Sequence, residues 1–177
     1  RFSASATRKT ELEEFNISVS YYFEYKDGTQ NENNGNLSAN QIWNLGPDNP
    51  WNIFAQGAWQ YDATEGYISR VNAYGGGGYK AINNKDVTLN LKLGLGAQWE
   101  YRGNTAVRPQ SLLEASNTWQ ISEGIKFTGN VSIANDVQAF EDYLASARAE
   151  IDISVAKIEG LSLNLGIRNV YNSNPSA

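Results

Sequence analysis

Residues Val87 to Tyr101 read V-T-L-N-L-K-L-G-L-G-A-Q-W-E-Y, with an apolar side chain at every second position. Such alternation is the pattern of a β-strand with one apolar and one polar face. Strands of globular proteins usually run about 5–6 residues, whereas about 9–11 tilted residues cross a bilayer. This segment is long enough to cross one, and its apolar face ends in Trp99 and Tyr101, side chains that prefer the membrane–water boundary. Lipid on one side and a polar lumen on the other would produce this pattern.

A long strand of a soluble sandwich or ligand-binding barrel would show the same alternation. Its apolar face would then point inward onto a core, and charges such as Lys92, Arg148 and Glu150 would point outward. One strand does not separate the two interpretations, so the rest of the chain has to decide between them.

Composition excludes several classes of protein. The 177 residues fit one domain, and no stretch approaches the roughly 18 consecutive apolar residues of a membrane-spanning helix. The net charge of −5, with both signs scattered, offers no basic patch and predicts no nucleic-acid partner. With Cys 0 and His 0, the chain cannot form disulfides, cysteine metal sites or histidine-based catalysis. We therefore expect no enzyme activity, no cofactor and no metal, although 19 Asp and Glu residues leave carboxylate-pair chemistry formally possible.

Alternating segments recur along the whole chain and predict about ten strands. The polar segment Lys26–Gly35 (K-D-G-T-Q-N-E-N-N-G) predicts a mobile loop, and Asn135–Asp142 predicts another longer connection. The other connections are short and no helix intervenes, which favours an up-and-down meander over a Greek key. The predicted strands cover a weak segment at Arg1–Thr10, then Phe15–Tyr25, Leu37–Leu45, Trp51–Tyr61, Tyr67–Ile82, Val87–Tyr101, Leu113–Ile121, Ile125–Ile133, Tyr143–Val155 and Leu161–Ile167.

Two stretches resemble the motifs of a known family. Tyr61–Tyr79 (Y-D-A-T-E-G-Y-I-S-R-V-N-A-Y-G-G-G-G-Y) and Gly160–Pro175 (G-L-S-L-N-L-G-I-R-N-V-Y-N-S-N-P) are similar to those of the YdiY-like salt-induced outer-membrane proteins, a domain of unknown function. The resemblance implies an outer-membrane β-barrel of a Gram-negative bacterium with no established activity. The family pattern also has one more strand at each end, so residues 1–177 are expected to form a single barrel domain lacking its first and last strands, with about twelve strands in all.

Charged residues at the polar positions of the strands form the first candidate site. If the apolar faces contact lipid, these charges face the lumen, where they either pair with one another and close it or form a selectivity constriction. In the constriction, Arg70, Arg148 and Arg168 would oppose Glu100, Glu150 and Asp152 across a narrow channel. The residues concerned are Glu24, Arg70, Lys92, Glu100, Glu114, Lys126, Arg148, Glu150, Asp152 and Arg168.

Aromatic residues near the predicted strand ends form the second candidate site. An aromatic girdle at a membrane boundary predicts this placement, whereas a sugar-stacking platform would gather aromatic residues on one loop surface. The glycine run Gly75–Gly78 is not a phosphate loop, because a strand follows it rather than a helix; in a barrel such glycines permit bends or close contacts. The girdle residues are Tyr25, Trp43, Trp51, Trp59, Tyr61, Trp99, Tyr101, Trp119 and Tyr143.

Together these features predict an all-β, up-and-down antiparallel transmembrane β-barrel in the outer membrane of a Gram-negative bacterium. The expected role is non-enzymatic, either structural or as a narrow pore, with outer-membrane lipid as the main partner. A soluble barrel that binds a small ligand, or a barrel subunit that anchors a larger envelope complex, remains an alternative.

Overall fold

The chain forms ten β-strands in a computed structural model that describes residues 2–26, 29–62, 68–101, 105–154 and 162–173. No helix occurs in these ranges, and so none has the length and apolar character needed to cross a membrane. The strands are β1 (Phe2–Lys9), β2 (Glu13–Lys26), β3 (Thr29–Asn44), β4 (Trp51–Asp62), β5 (Ser69–Asn83), β6 (Val87–Tyr101), β7 (Thr105–Ser122), β8 (Ile125–Asp136), β9 (Tyr143–Ser154) and β10 (Ser162–Asn172).

All ten strands belong to one antiparallel sheet, in which each strand pairs with its neighbours in sequence, in the order β1 to β10. The sheet curls into a half-barrel. The predicted fold class, an all-β up-and-down meander, is therefore confirmed. Connections after odd-numbered strands lie at one end of the sheet, here called the odd-turn end, and those after even-numbered strands lie at the even-turn end.

The predicted loop over Lys26–Gly35 is wrong. Strand β3 begins at Thr29, and its asparagine-rich first half pairs with the end of β2, for example Asn34 with Tyr22 and Gly35 with Tyr21. A polar segment can form a strand when a long, apolar neighbouring strand offers it a continuous ladder of hydrogen bonds, because strand propensity depends strongly on context.

Most other connections agree with the sequence. Turns occupy 45–50, 84–86 and 123–124, and the longer connection after β8 covers 137–142. Strand β7 starts earlier than predicted, at Thr105, and includes Pro109, which faces Ala97 of β6. The short connections expected between the predicted strands ending at Tyr61 and Val155 and the strands that follow them lie mostly outside the described residues.

The sheet has two chemically distinct faces because alternate side chains point to opposite sides. On β6 the convex face carries Leu93, Leu95 and Trp99, all exposed, while Lys92 and Gln98 lie buried on the concave face. The pairing register carries this division across the sheet, so the polar positions of all ten strands share the concave face.

The rows of paired residues run obliquely from one end of the sheet to the other. A row that starts near the odd-turn end of β3 finishes near the even-turn end of β10, a stagger that tilted barrel strands produce. Its members, in order, are Trp43, Ile53, Gly77, Leu93, Leu113, Ile133, Ala145 and Tyr171.

A small apolar cluster interrupts the polar concave face at its centre. Phe54, Leu112 and Ala134 are buried there, and Ile42 and Tyr74 pack against them. These residues come from β3, β4, β5, β7 and β8, so the sheet is curved enough for side chains of non-adjacent strands to meet. The core of the half-barrel is this cluster.

Candidate functional site

Phe54 closes the middle of the concave face. Its side chain is only 1% exposed, and its ring reaches across β5 to β6, where a β-carbon on Gly94 would stand 2.8 Å from Phe54 Cζ. On β5, a β-carbon on Gly76 would overlap the backbone of Leu93 and Gly94. Glycine at these two paired positions therefore lets the strands bend closely together and leaves room for the ring.

A buried ion pair lies directly beside this ring. Lys92 Nζ is 3.2 Å from Glu114 Oε1 and 3.3 Å from Gln56 Oε1, and it stands 5.1 Å from the centre of the Phe54 ring. Gln56 Nε2 completes the group by donating to Glu114 Oε2 at 3.4 Å. Four side chains from β4, β6 and β7 thus form one layer across the concave face, which we call the central layer.

A second polar network lies between the central layer and the even-turn end. Arg70 Nε donates to Glu100 Oε1 at 2.6 Å, and Gln98 Nε2 donates to the same oxygen at 2.8 Å. Gln110 donates in turn to Gln98 at 3.2 Å and accepts from the Tyr74 hydroxyl at 2.5 Å. Arg70 and Glu100 are direct cross-strand partners, so this pair joins neighbouring strands rather than opposite sides of a channel.

The other predicted charges are Glu24 on β2, Lys126 on β8 and four residues of β9 and β10, of which Arg148 and Arg168 are exposed. Arg148 forms an ion pair with Glu150 on its own strand, and Asn164 Nδ2 donates to Asp152 Oδ1 at 2.5 Å. Arg168 faces Arg148 in the pairing register. All ten predicted lumen charges share the concave face, but the ion pairs between described residues join residues of the same strand or of adjacent strands.

The central layer separates two polar cavities on the concave face. The larger, about 330 Å³, lies toward the odd-turn end and is lined by residues of β1 to β7, including Lys80, Asn52 and Glu114. The smaller, about 40 Å³, lies toward the even-turn end around Arg70 and Arg108. The larger has the size of a small-ligand site, whereas the smaller has room for little more than water.

The aromatic residues form two rows on the convex face, as the girdle hypothesis requires. Strand β4 carries members of both rows, and its Trp51 and Trp59 lie roughly 26 Å apart along the strand at about 3.3 Å per residue. The side chain of Tyr25 lies outside the described part of the structure. The odd-turn row contains Trp43, Trp51, Tyr79 and Trp119, and the even-turn row contains Tyr21, Trp59, Tyr61, Trp99, Tyr101, Tyr143 and Tyr171.

Ring contacts and hydrogen bonds order these rows. Trp51 and Tyr79 pack with ring centres 4.8 Å apart, and Tyr143 packs against Tyr171 at 5.9 Å. The Trp59 indole donates from Nε1 to Ser69 Oγ at 2.9 Å. The rings are spread around the sheet rather than gathered on one loop surface, which argues against a sugar-stacking platform.

All five tryptophans of the chain belong to these rows, and each is exposed on the convex face. Between the rows the convex face is apolar, and Leu93 and Leu95 near its centre are 66% and 69% exposed. The soluble-barrel alternative predicts the reverse orientation, with the apolar face inside. Lys92, which that alternative places outside, is 8% exposed on the concave face.

The residues of the central layer, of the apolar cluster and of the second polar network were only partly predictable from the sequence. Lys92 and Glu114 were expected on the lumen side, but Phe54, Leu112 and the roles of Gln56 and Gln98 were not. Phe54 follows Ile53, so the segment W-N-I-F-A-Q has apolar residues on both faces of β4. That local break in alternation was the available signal. No group of three or more potential metal ligands occurs among the described residues.

The fold and the two faces define a class of protein: an antiparallel β-meander curled into a half-barrel, with a polar concave face and an apolar, aromatic-bordered convex face. The chain belongs to the family described as protein of unknown function, DUF481, whose model matches residues 1–177. No curated protein and no solved structure matches it.

Proposed function

We propose that this chain is an outer-membrane β-barrel protein of a Gram-negative bacterium, with its convex face in contact with lipid. The supporting observation is the placement of all five tryptophans in two exposed rows that border an apolar band. With strands tilted by about 40°, the roughly 26 Å between the rows along a strand becomes about 20 Å along the barrel axis, close to the ~25 Å apolar band of such barrels. The resemblance to salt-induced outer-membrane proteins supports the same location.

The proposed role is structural and non-enzymatic rather than that of an open pore. This preference rests on the central layer, where Phe54 and the Lys92–Glu114 ion pair are packed on the concave face with Leu112 of the apolar cluster beside them. Ions crossing the lumen would have to pass a buried aromatic ring, and a hydrophobic constriction opposes their passage by excluding water.

Lipid contact is tested by fluorescence quenching with brominated lipids. We expect vesicles with bromine near the headgroup end of the acyl chain to quench the tryptophan emission of the refolded protein strongly. Bromine near the bilayer centre should quench it weakly, because the tryptophans lie in the two border rows rather than between them. Equal, weak quenching by both lipids would contradict the membrane location.

Location is tested independently by envelope fractionation combined with a charge substitution. Leu93→Arg places a charge near the middle of the apolar band, and the expected cost there is about 2–4 kcal/mol, so the variant should be depleted from the outer membrane. Asn164→Arg, an exposed substitution on the concave face, is the matched control and should remain there. A soluble wild-type protein that needs no detergent would overturn the proposal.

The structural role is tested by planar-bilayer conductance. We expect the wild-type protein to show no stable open channel, because the central layer fills the middle of the concave face. Ion currents as steady as those of an open porin would instead favour the narrow-pore alternative.

A further inference from the structure

The larger concave cavity has the features of a built ligand site. About 330 Å³ in volume, it is lined by β1 to β7 and closed on its deep side by Lys92 and Glu114 of the central layer. Its walls are predominantly amides, hydroxyls and charges, including Asn40, Asn52 and Asn90. A cavity of this size would hold about ten water molecules at ~30 Å³ each, so a solute of monosaccharide size fits.

Several amides on this face point oxygen atoms into buried positions without receiving a hydrogen bond. Asn40 Oδ1 and Asn52 Oδ1, both in the cavity wall, have no donor among the described residues. Asn52 is only 6% exposed, and its amide lies against Gly78, where a β-carbon would overlap it. A buried acceptor without a donor is costly, so a rotation of either amide that brings its oxygen to a solute hydroxyl in the cavity would be favourable.

The cavity also contains one cation that the surrounding charges do not neutralise. Lys92 pairs with Glu114, and Lys9 pairs with Glu14 at 3.3 Å. The side chain of Lys80 has no hydrogen bond or ion pair within the described part of the chain, although it lines the same cavity. The pairing register of β5 shifts between Lys80 and Ile82, an irregularity of the kind that redirects side chains at binding sites.

We propose that this cavity binds a hydroxylated carboxylate of monosaccharide size, such as a hexuronic acid. The carboxylate pairs with the Lys80 ammonium, and the hydroxyl groups donate to Asn40 and Asn52. The Lys92–Glu114 pair forms the floor that stops the solute. The inference goes beyond the proposed function and does not depend on the membrane location, because it uses only the concave face.

The test is calorimetric titration of the purified, folded protein with D-glucuronate, D-glucose and acetate as probes. We expect glucuronate to bind, and glucose and acetate each to bind at least about tenfold more weakly, since each probe supplies only half of the required groups and a hydrogen bond to a charged group contributes about 1.5–3 kcal/mol. No heat of binding with any probe, or equal binding of glucuronate and acetate, would overturn the proposal.

Two variants locate the site. Lys80→Gln should weaken glucuronate binding about tenfold toward the affinity of glucose, whereas Lys85→Gln, an equal charge change in the exposed turn after β5, should leave it unchanged. Asn52→Leu should also weaken binding, yet it should not lower the unfolding midpoint, because it replaces an unpartnered buried amide with an apolar group of similar size. Unchanged binding in both Lys80→Gln and Asn52→Leu would show that the solute binds elsewhere. Since lipid quenching measures the membrane location separately, failure of one proposal leaves the other testable.

Discussion

The central strands β4 to β7 and the outer strands β9 and β10 follow the same alternating pattern but bury very different surfaces. On the central strands the concave side chains Phe54, Lys92 and Gln98 are buried. On β10 every residue is exposed, on both faces. Alternation alone therefore assigns a side chain to a face, and curvature decides whether that face becomes an interior. The close approach at Gly76 and Gly94 supplies that curvature in the centre.

The largest loss of stability is expected when the aromatic ring of the central layer is removed. Phe54→Ala is expected to lower the free energy of unfolding by about 3–5 kcal/mol, because a fully buried aromatic side chain leaves a cavity. Ile53 precedes Phe54, lies on the convex face and is half exposed. Ile53→Ala should therefore cost roughly 1 kcal/mol. Urea unfolding in lipid vesicles, followed by tryptophan fluorescence, measures both. Equal losses at the two positions would mean that the concave face is not packed.

The second largest loss of stability is expected from breaking the buried ion pair. Lys92→Met leaves Glu114 buried without its cation, and we expect a loss of about 3 kcal/mol. Arg148→Met breaks a pair whose arginine side chain is 59% exposed, so its effect should stay below about 1 kcal/mol. The double variant Lys92→Met/Glu114→Gln should recover part of the stability by removing the unpaired charge. If Lys92→Met and Arg148→Met cost the same, the central and outer regions do not differ electrostatically as described.

A smaller effect is expected from one methyl group added at the bend. Gly76→Ala places a β-carbon against the backbone of Leu93 and Gly94, while at Gly77 nothing lies within 4 Å. We expect Gly76→Ala to cost about 1–3 kcal/mol and Gly77→Ala to change stability by less than about 0.5 kcal/mol. The two variants are compared by heating samples to increasing temperatures and recording, on a denaturing gel run without boiling, the temperature at which the folded band disappears. If Gly76→Ala leaves the stability unchanged, the close approach of the strands at Gly76 is not the cause of the curvature.

The strand pattern was largely predictable because alternation over long segments is a strong signal, and it also placed all ten predicted charges on one face. Two kinds of feature could not be predicted from the sequence. The segment after Lys26 looked like a loop because its asparagines are polar, and only the pairing with β2 makes it a strand. The central layer was not predictable because Gln56 of β4 meets Glu114 of β7 across two intervening strands, a contact that depends on curvature and not on local sequence.

In the described sheet each strand pairs with its neighbours in sequence, which has a consequence for how this chain reaches its fold. Each strand can form its ladder as soon as the next one follows, so assembly can proceed hairpin by hairpin without waiting for distant segments, and short loop closures are the fast ones. Phe54 lies on β4 and Gly94 on β6, so the Phe54 ring can pack against Gly94 only after β5 and β6 have paired. We expect the ladder between β1 and β3 to become protected from hydrogen exchange before the central layer does.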